Sequence, residues 1–353
     1  MRKSSFITTA LLAMVGFATV ACSDAAQEKA TAPATTAAAA PATPVVPTDI
    51  PEGMGILPTS VPVPADNPQS AEKVELGKKL YFEPALSKSG NFSCNSCHNL
   101  GTAGVDNQQF SIGHKWQRGG RNAPTVFNAA FWSAQFWDGR APLLEDQAKG
   151  PPLNPVEMAS MSEATVVARL NEAGYGPLFD AVFGKESLNY DNAAKAIAAF
   201  ERTLLTPDAP FDLYVQGKGD ISEAAKRGMV KSAEVGCTSC HSGPLFTNNS
   251  FQKFGYGGDA GVKSVTGKDE DDHLFRVQSW RNVAMTAPYF HDGAVKTLDE
   301  AVRVMAKVQL DTELSDADTA DIVEFLKTLT GKAPEVTFPV LPRPAGHALT
   351  WSD

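Results

Sequence analysis

The string Cys-x-x-Cys-His occurs twice in this chain, as Cys94-Asn95-Ser96-Cys97-His98 and as Cys237-Thr238-Ser239-Cys240-His241. It is the attachment signature of c-type haem. Two thiols three residues apart on one helical turn can both reach the vinyl groups of one porphyrin and form thioethers. The adjoining histidine is then held beneath the iron as an axial ligand. Two such sites describe a two-haem electron-transfer protein. Reading the cysteine pairs instead as disulfides or zinc ligands is disfavoured by the histidine that directly follows each pair in a chain with an export leader.

The leader is legible in the first residues. Arg2 and Lys3 precede an apolar run from Phe6 to Val20, too short to span a bilayer comfortably, which marks residues 1–21 as a signal peptide. Its end, Thr19-Val20-Ala21-Cys22, approximates a lipoprotein processing box, although Thr19 stands where an aliphatic residue is usual. Lipidation of Cys22 would account for the one cysteine that the haem motifs do not use, and would tether the chain to a membrane. Cleavage near Ala21 with release of a soluble protein is the alternative. Both readings place the protein in the periplasm, where c-type haem is attached. The net charge of −9 becomes −11 once Arg2 and Lys3 are lost with the leader. Such acidity argues against nucleic-acid binding and suits a redox protein with a basic or dipolar partner.

Residues 22–67 are rich in Ala, Thr and Pro, poor in large apolar side chains, and are expected to form a disordered tether. Helical periodicity then appears at 71–82, 163–170, 192–205 and 222–234. Thr297 to Glu300 has the capping-box pattern and opens a helix with Leu298, Val302 and Met305 on one stripe. A last helix, 316–329, ends at Gly331 with Ile322, Phe325 and Leu329 inward. The stretch 99–155 is rich in Gly, Asn and Pro, and strand signals are nearly absent. The expected fold is mostly α, with two cytochrome c-like domains: 68–207, against which the tail 333–353 packs back, and 208–332. The halves also repeat one another. Arg121-Asn122 followed by Phe136-Trp137-Asp138-Gly139 echoes Arg281-Asn282 followed by Phe290-His291-Asp292-Gly293, and each copy precedes an acidic stretch.

Haem iron takes two axial ligands, and the second one sets potential and access. Outside the two motifs the histidines are His114, His273, His291 and His347. His114 lies in a glycine-containing loop that can be withdrawn, and Met305 lies on an apolar helix stripe. A methionine on such a stripe is far more often core than ligand, and a loop histidine is usually polar surface. His273, His291 and His347 have no evident ligand role.

From about Gln69 to Pro342 the chain resembles the bacterial di-haem cytochrome c peroxidases. The matching strings run in order: Phe92-Ser93-Cys94 through Leu100, Gly104-Val105-Asp106, Ser111-Ile112-Gly113-His114, Arg121 through Thr125, Phe136 through Arg140, Gln147 through Pro151, Asn154-Pro155-Val156-Glu157-Met158 and Pro288 through Gly293. The resemblance implies a low-potential peroxidatic haem in the N-terminal domain, with His98 and His114 as ligands. It implies a high-potential haem in the C-terminal domain, with His241 and Met305, that accepts electrons from a small cytochrome c or cupredoxin. His114 would leave the iron on activation. Glu157 matches the distal carboxylate that moves protons during O–O cleavage, Gln147 a second pocket residue, and Trp137 the tryptophan between the haems. Without that context Glu157 would be a capping or surface residue and Trp137 core packing. A calcium ion between the domains would use Asn122, Thr286 and Pro288. The implied activity is that of a cytochrome-c peroxidase reducing H2O2 to water, usually as a homodimer. The rival readings are a di-haem electron-transfer cytochrome without peroxidase chemistry, and a related enzyme that modifies a protein side chain. The latter has a tyrosine where this family has methionine.

Overall fold

Ser70 sets the start of folded helix: its side chain accepts from Lys73 N, capping α1 (Ala71–Tyr81). These coordinates are a computed structural model in which residues 47–343 are described. The first haem motif forms the single turn α2 (Cys94–Cys97), and a long irregular wrap leads to α3 (Leu144–Leu153). Three further helices, α4 (Glu163–Glu172), α5 (Gly176–Phe183) and α6 (Tyr190–Glu201), complete the first half. The second half contains α7 (Pro210–Val215) and α8 (Glu223–Val235), which leads into the second motif. A two-stranded antiparallel ribbon follows, β1 (Phe251–Lys253) with β2 (Leu274–Arg276), paired Phe251 to Arg276 and flanking α9 (Lys263–Thr266). The half closes with α10 (Leu298–Leu310), capped by the Thr297 hydroxyl on Glu300 N, and α11 (Asp316–Lys327).

The mostly helical expectation holds, and the six helices read from periodicity are present within a few residues at their ends. Helices α3, α5 and α7 were masked in the sequence by proline and glycine. In α5 and α7 the proline sits in the first turn, where its missing N–H costs nothing. In α3 the pair Pro151-Pro152 lies in the last turn.

Each half is built on one close helix crossing. Gly77 of α1 lies against the backbone of Ala196 on α6, and Gly228 of α8 against that of Asp321 on α11; a Cβ on either glycine would overlap the facing carbonyl oxygen. Separate apolar clusters surround the crossings, one with Leu76, Leu80, Phe179 and Ile197, the other with Met229, Ile322, Phe325 and Leu329.

The internal repeat is real, but its alignment differs from the one suggested by the Arg-Asn dipeptides. Asn282 is matched by Asn128, not by Asn122. Both Asn128 and Asn282 have left-handed φ (61° and 62°), and each precedes a short 3-10 turn. Their backbone N–H groups donate to Leu204 O and Leu329 O, after α6 and α11 respectively. From each asparagine the same spacing leads to Phe136 or Phe290, again both left-handed, and then to the start of α3 or α10. Backbone geometry, rather than dipeptide identity, defines the equivalence.

Residues 47–67, assigned by composition to a tether, instead lie against the folded body. Met54 bridges Gly243, Leu57 is buried beside Trp132 and Leu245, and Arg281 donates to Gly55 O. Arg202 donates to Pro62 O, and the buried Asn67 side chain donates to Glu145. Few large apolar side chains are needed because the strap is fastened largely through its backbone carbonyls. Cys22, the signal peptide and His347 lie outside the described residues. At the other end, residues 333–343 return to the first half: Phe338 packs edge-on to Phe82, and Arg343 pairs with the fully buried Glu83. Among the described residues no helix is long and apolar enough to cross a membrane.

Two outcomes are expected from this packing. Gly228→Ala should destabilise the protein by about 1–3 kcal/mol, read as a lower midpoint in thermal denaturation, because α8 and α11 must separate to admit a methyl group. Glu201, at the end of α6, is buried, which pushes its pKa up to about 8 despite the pull of Arg202. Folding therefore takes up a proton, and native stability from this group falls as pH rises from about 4.5 to 8. Glu201→Gln should remove that slope, so that its melting temperature exceeds the wild-type value increasingly from pH 5 to pH 8.

Candidate functional site: two histidine-bearing cavities

The residue that anchors each cavity is the histidine of a Cys-x-x-Cys-His motif. Tyr81, fully buried on α1, donates to His98 O and fixes the end of the first motif. The His98 ring directs Nδ1 to Pro124 O at 3.0 Å, and His241 directs Nδ1 to Phe246 O at 3.2 Å. With Nδ1–H donated to a carbonyl, Nε2 is left as the unprotonated, ligating nitrogen. Burial reinforces this state by lowering both imidazole pKa values, that of His241 to about 4. The His241 ring also stacks on Trp280, with centroids 4.5 Å apart.

The first cavity is lined by Cys97 and His98 together with Gln147, Glu157, Trp137 and Arg140. Burial raises the Glu157 carboxyl pKa, with Arg140 opposing. Its Oε1 accepts from Asn154 Nδ2 at 2.8 Å. The second cavity is lined by Cys237, Cys240 and His241, and across α10 by Met305. Trp137 lines both cavities, and its indole N–H donates to Asn122 O at 2.9 Å, which holds the ring between them.

His114 is buried and is not among the residues lining the first cavity, although Ser111, Gly113 and Glu157 beside it are. Its N–H donates to Glu157 O at 2.8 Å, Gly113 lies flush against Val156 and Glu157, and Lys115 and Trp116 both take left-handed φ. The buried His114 Nδ1 has no hydrogen-bond partner among the described residues.

Asn122 lines both cavities, while Thr286 and Pro288 line the second. The Asn122 amide donates to Gln108 O at 2.9 Å, and the Thr286 hydroxyl to Val283 O at 3.2 Å. The cavity walls also hold residues for which the sequence had no signal. Glu201, Trp132 and Arg276 stand in segments without a chemical motif, and only the chain's path brings them to a wall; Arg140 closes a matching string but carries no expected role there.

The residues fit a c-type haem in each cavity. None of the four motif cysteines is paired in a disulfide, so each motif keeps two sulfurs for thioether bonds. Among the described residues no three His, Cys, Asp or Glu side chains converge as a compact metal site. Each histidine has Nδ1 engaged by a carbonyl and lines its cavity with one ring nitrogen left over, as ligation of an iron tetrapyrrole needs.

Comparison with known proteins agrees with this geometry. The sequence profile of the family described as di-haem cytochrome c peroxidase matches residues 71–220. The chain is 45% identical over 289 residues to the cytochrome c551 peroxidase of Nitrosomonas europaea, covering 80% of this chain and 86% of that protein. It is 44% identical over 299 residues to the cytochrome c551 peroxidase of Pseudomonas aeruginosa, covering 81% and 86%. The crystal structure of a MauG-like protein associated with microbial copper homeostasis superposes with a TM-score of 0.71 at 29% identity, over 81% of this chain and 95% of that one. With two cavities each built on a Cys-x-x-Cys-His histidine, and relatives of this similarity over most of its length, the chain belongs to the di-haem cytochrome c peroxidases and is an oxidoreductase of the peroxidase type.

Proposed function

We propose that the protein works in the periplasm, taking electrons singly from a small cytochrome c or cupredoxin at the second cavity and reducing H2O2 to two waters at the first. The observation that carries this reading is the half-buried Glu157 carboxyl on the wall of the cavity that holds His98. When bound, the haems supply the iron that cleaves the O–O bond and the redox capacity that holds the electrons. His98 and His241 would hold the two irons through Nε2, and Met305 would be the second ligand at the electron-receiving site.

Glu157 would accept a proton from one peroxide oxygen and return it to the other, so that the departing oxygen leaves as water. Its raised pKa suits a group that must hold and release that proton. The Asn154 amide holds Oε1 and so orients the carboxyl. Gln147 would orient peroxide by hydrogen bonding. Trp137, clamped by Asn122 O, would carry the electron path between the cavities. His114 would return to the first iron in the resting, oxidised enzyme. Met305 in the second cavity favours peroxide reduction over the modification of a protein side chain.

Calcium would bind through the Asn122 side chain and the Thr286 and Pro288 carbonyls, an oxygen donor set suited to that ion. We further propose domain limits of 68–207 and 208–332, a homodimer, and a membrane tether through lipidated Cys22.

Two measurements test the reading. Glu157→Gln should retain both haem spectra while steady-state peroxide turnover falls about 100-fold or more; turnover at the wild-type rate would remove Glu157 from the mechanism. Met305→His should lower the potential of the second haem in a potentiometric titration, because imidazole stabilises the ferrous state less than thioether does. The same variant should no longer be activated by one-electron reduction, seen as loss of the peroxide response in stopped-flow absorbance.

A further inference from the structure

Glu201 closes α6 with a carboxyl that accepts no hydrogen bond and joins no ion pair among the described residues, although it is only 4% exposed. The other buried acids are all engaged. Glu83 is held by Tyr175 and Arg343, Asp138 by Arg121 and Arg140, Glu145 by Asn67 and Arg202, and Asp212 by Arg281. A buried carboxyl without a donor is costly to keep ionised.

Its place is the first cavity, whose wall it shares with Cys97, His98 and Glu157; it does not line the second. Packing seals the unpaired His114 Nδ1 but leaves the Glu201 oxygens with open surface. For a residue buried this deeply on a cavity wall, the open side is the cavity. The ionisable groups around it pull in opposite directions. Arg202, next in the chain, attracts a proton-free carboxyl but donates to Glu145 at 3.0 Å, and Glu145 on α3 repels it. Tyr81 on α1 and Cys94 of the first motif lie within reach of its charge. Across the cavity stand Glu157 with Arg140, and the Arg121–Asp259 pair. Burial dominates this set and pushes the Glu201 pKa up to about 8. Its proton is thus near balance close to neutral pH, where one charge added nearby decides occupancy.

We propose that Glu201 is the redox-linked proton site of the first cavity, binding one proton when the haem there gains one electron and releasing it when that electron leaves. In full, ferric haem, carboxylate, one electron and one proton give ferrous haem and carboxylic acid. The electron comes from the donor protein and the proton from water, so the cavity's net charge is unchanged by the step. An electron placed in a low-dielectric cavity strengthens proton binding at a neighbouring acid, and by reciprocity the proton favours the reduced state by the same factor. Glu157 is less suited to this task, because Asn154 donates to it and Arg140 favours its ionised form. The inference rests on the two-haem reading above but not on the peroxidase chemistry, and Glu201 touches no peroxide in it.

The test is a potentiometric titration of the full holoprotein from about pH 5 to about pH 9, following each haem by its own absorption bands; the first-haem midpoint should fall by about 59 mV per pH unit across part of that range. Glu201→Gln, a neutral isostere of the protonated acid, should flatten this dependence. Its first-haem potential should match wild type at low pH and exceed it at high pH, leaving the wild-type haem at least tenfold less reduced there at a fixed potential. Glu157→Gln should keep the slope, and the second haem should respond alike in all three proteins. A wild-type potential that ignores pH, a slope that survives in Glu201→Gln, or one lost in Glu157→Gln overturns the proposal. Should Glu201→Gln fail to take up haem, Glu201→Asp decides: the interval of slope moves along the pH axis if Glu201 holds the proton, and an unmoved interval rejects it. A missing first-haem absorption in the wild-type protein would instead remove the two-haem reading itself.

Discussion

One buried hydroxyl accepts hydrogen bonds from both halves. Thr206 Oγ1 accepts from Asn128 Nδ2 at 2.8 Å and from Asn282 Nδ2 at 2.9 Å, and all three residues are buried. One hydroxyl oxygen has two lone pairs, and each half supplies one amide. The remaining oxygens of the same amides accept from Thr206 N and Gly331 N, so each side chain both donates and accepts. Burying such a network is favourable only when it is complete. Completing it requires both turns to sit at one register against the segments that follow α6 and α11. The two segments that carry Trp137 and His291 follow directly from those turns.

From this seam the cavities acquire different characters despite a shared plan. In each half a helix crossing at glycine leads to a Cys-x-x-Cys-His turn whose histidine is anchored on a backbone carbonyl. The equivalent helices α3 and α10 then line opposite functions. On α3, Gln147 faces the first cavity, and the chain beyond it brings Glu157 to the same wall. On α10, Met305 faces the second. Polar, proton-bearing groups therefore gather in one copy and a soft thioether in the other. Between them, the two tryptophans Trp132 and Trp137 belong to both walls, and the N-terminal strap closes over Trp132 through Leu57.

Much of this was legible without coordinates. The haem-attachment turns follow from covalent chemistry, and α1, α4, α6, α8, α10 and α11 follow from apolar periodicity that tertiary packing merely completes. The Met305 stripe was visible, although only its cavity distinguishes it from ordinary core. The segments misread have a common cause. The strap 47–67 is held by distant side chains on its backbone carbonyls, α5 and α7 carry proline in the first turn and α3 a Pro-Pro pair in the last, and composition carries little trace of any of these.

The sequence by itself determined where the two Cys-x-x-Cys-His turns lie, because their chemistry needs only two thiols and a histidine within one turn. It also determined which helices exist, because their apolar faces recur locally. Only the tertiary structure decided that Asn128 rather than Asn122 answers Asn282, that His114 sits off the cavity wall, and that Glu201 lies buried on it without a partner. Each of those depends on backbone dihedrals and on partners tens to hundreds of positions away, and neither is written in local residue order.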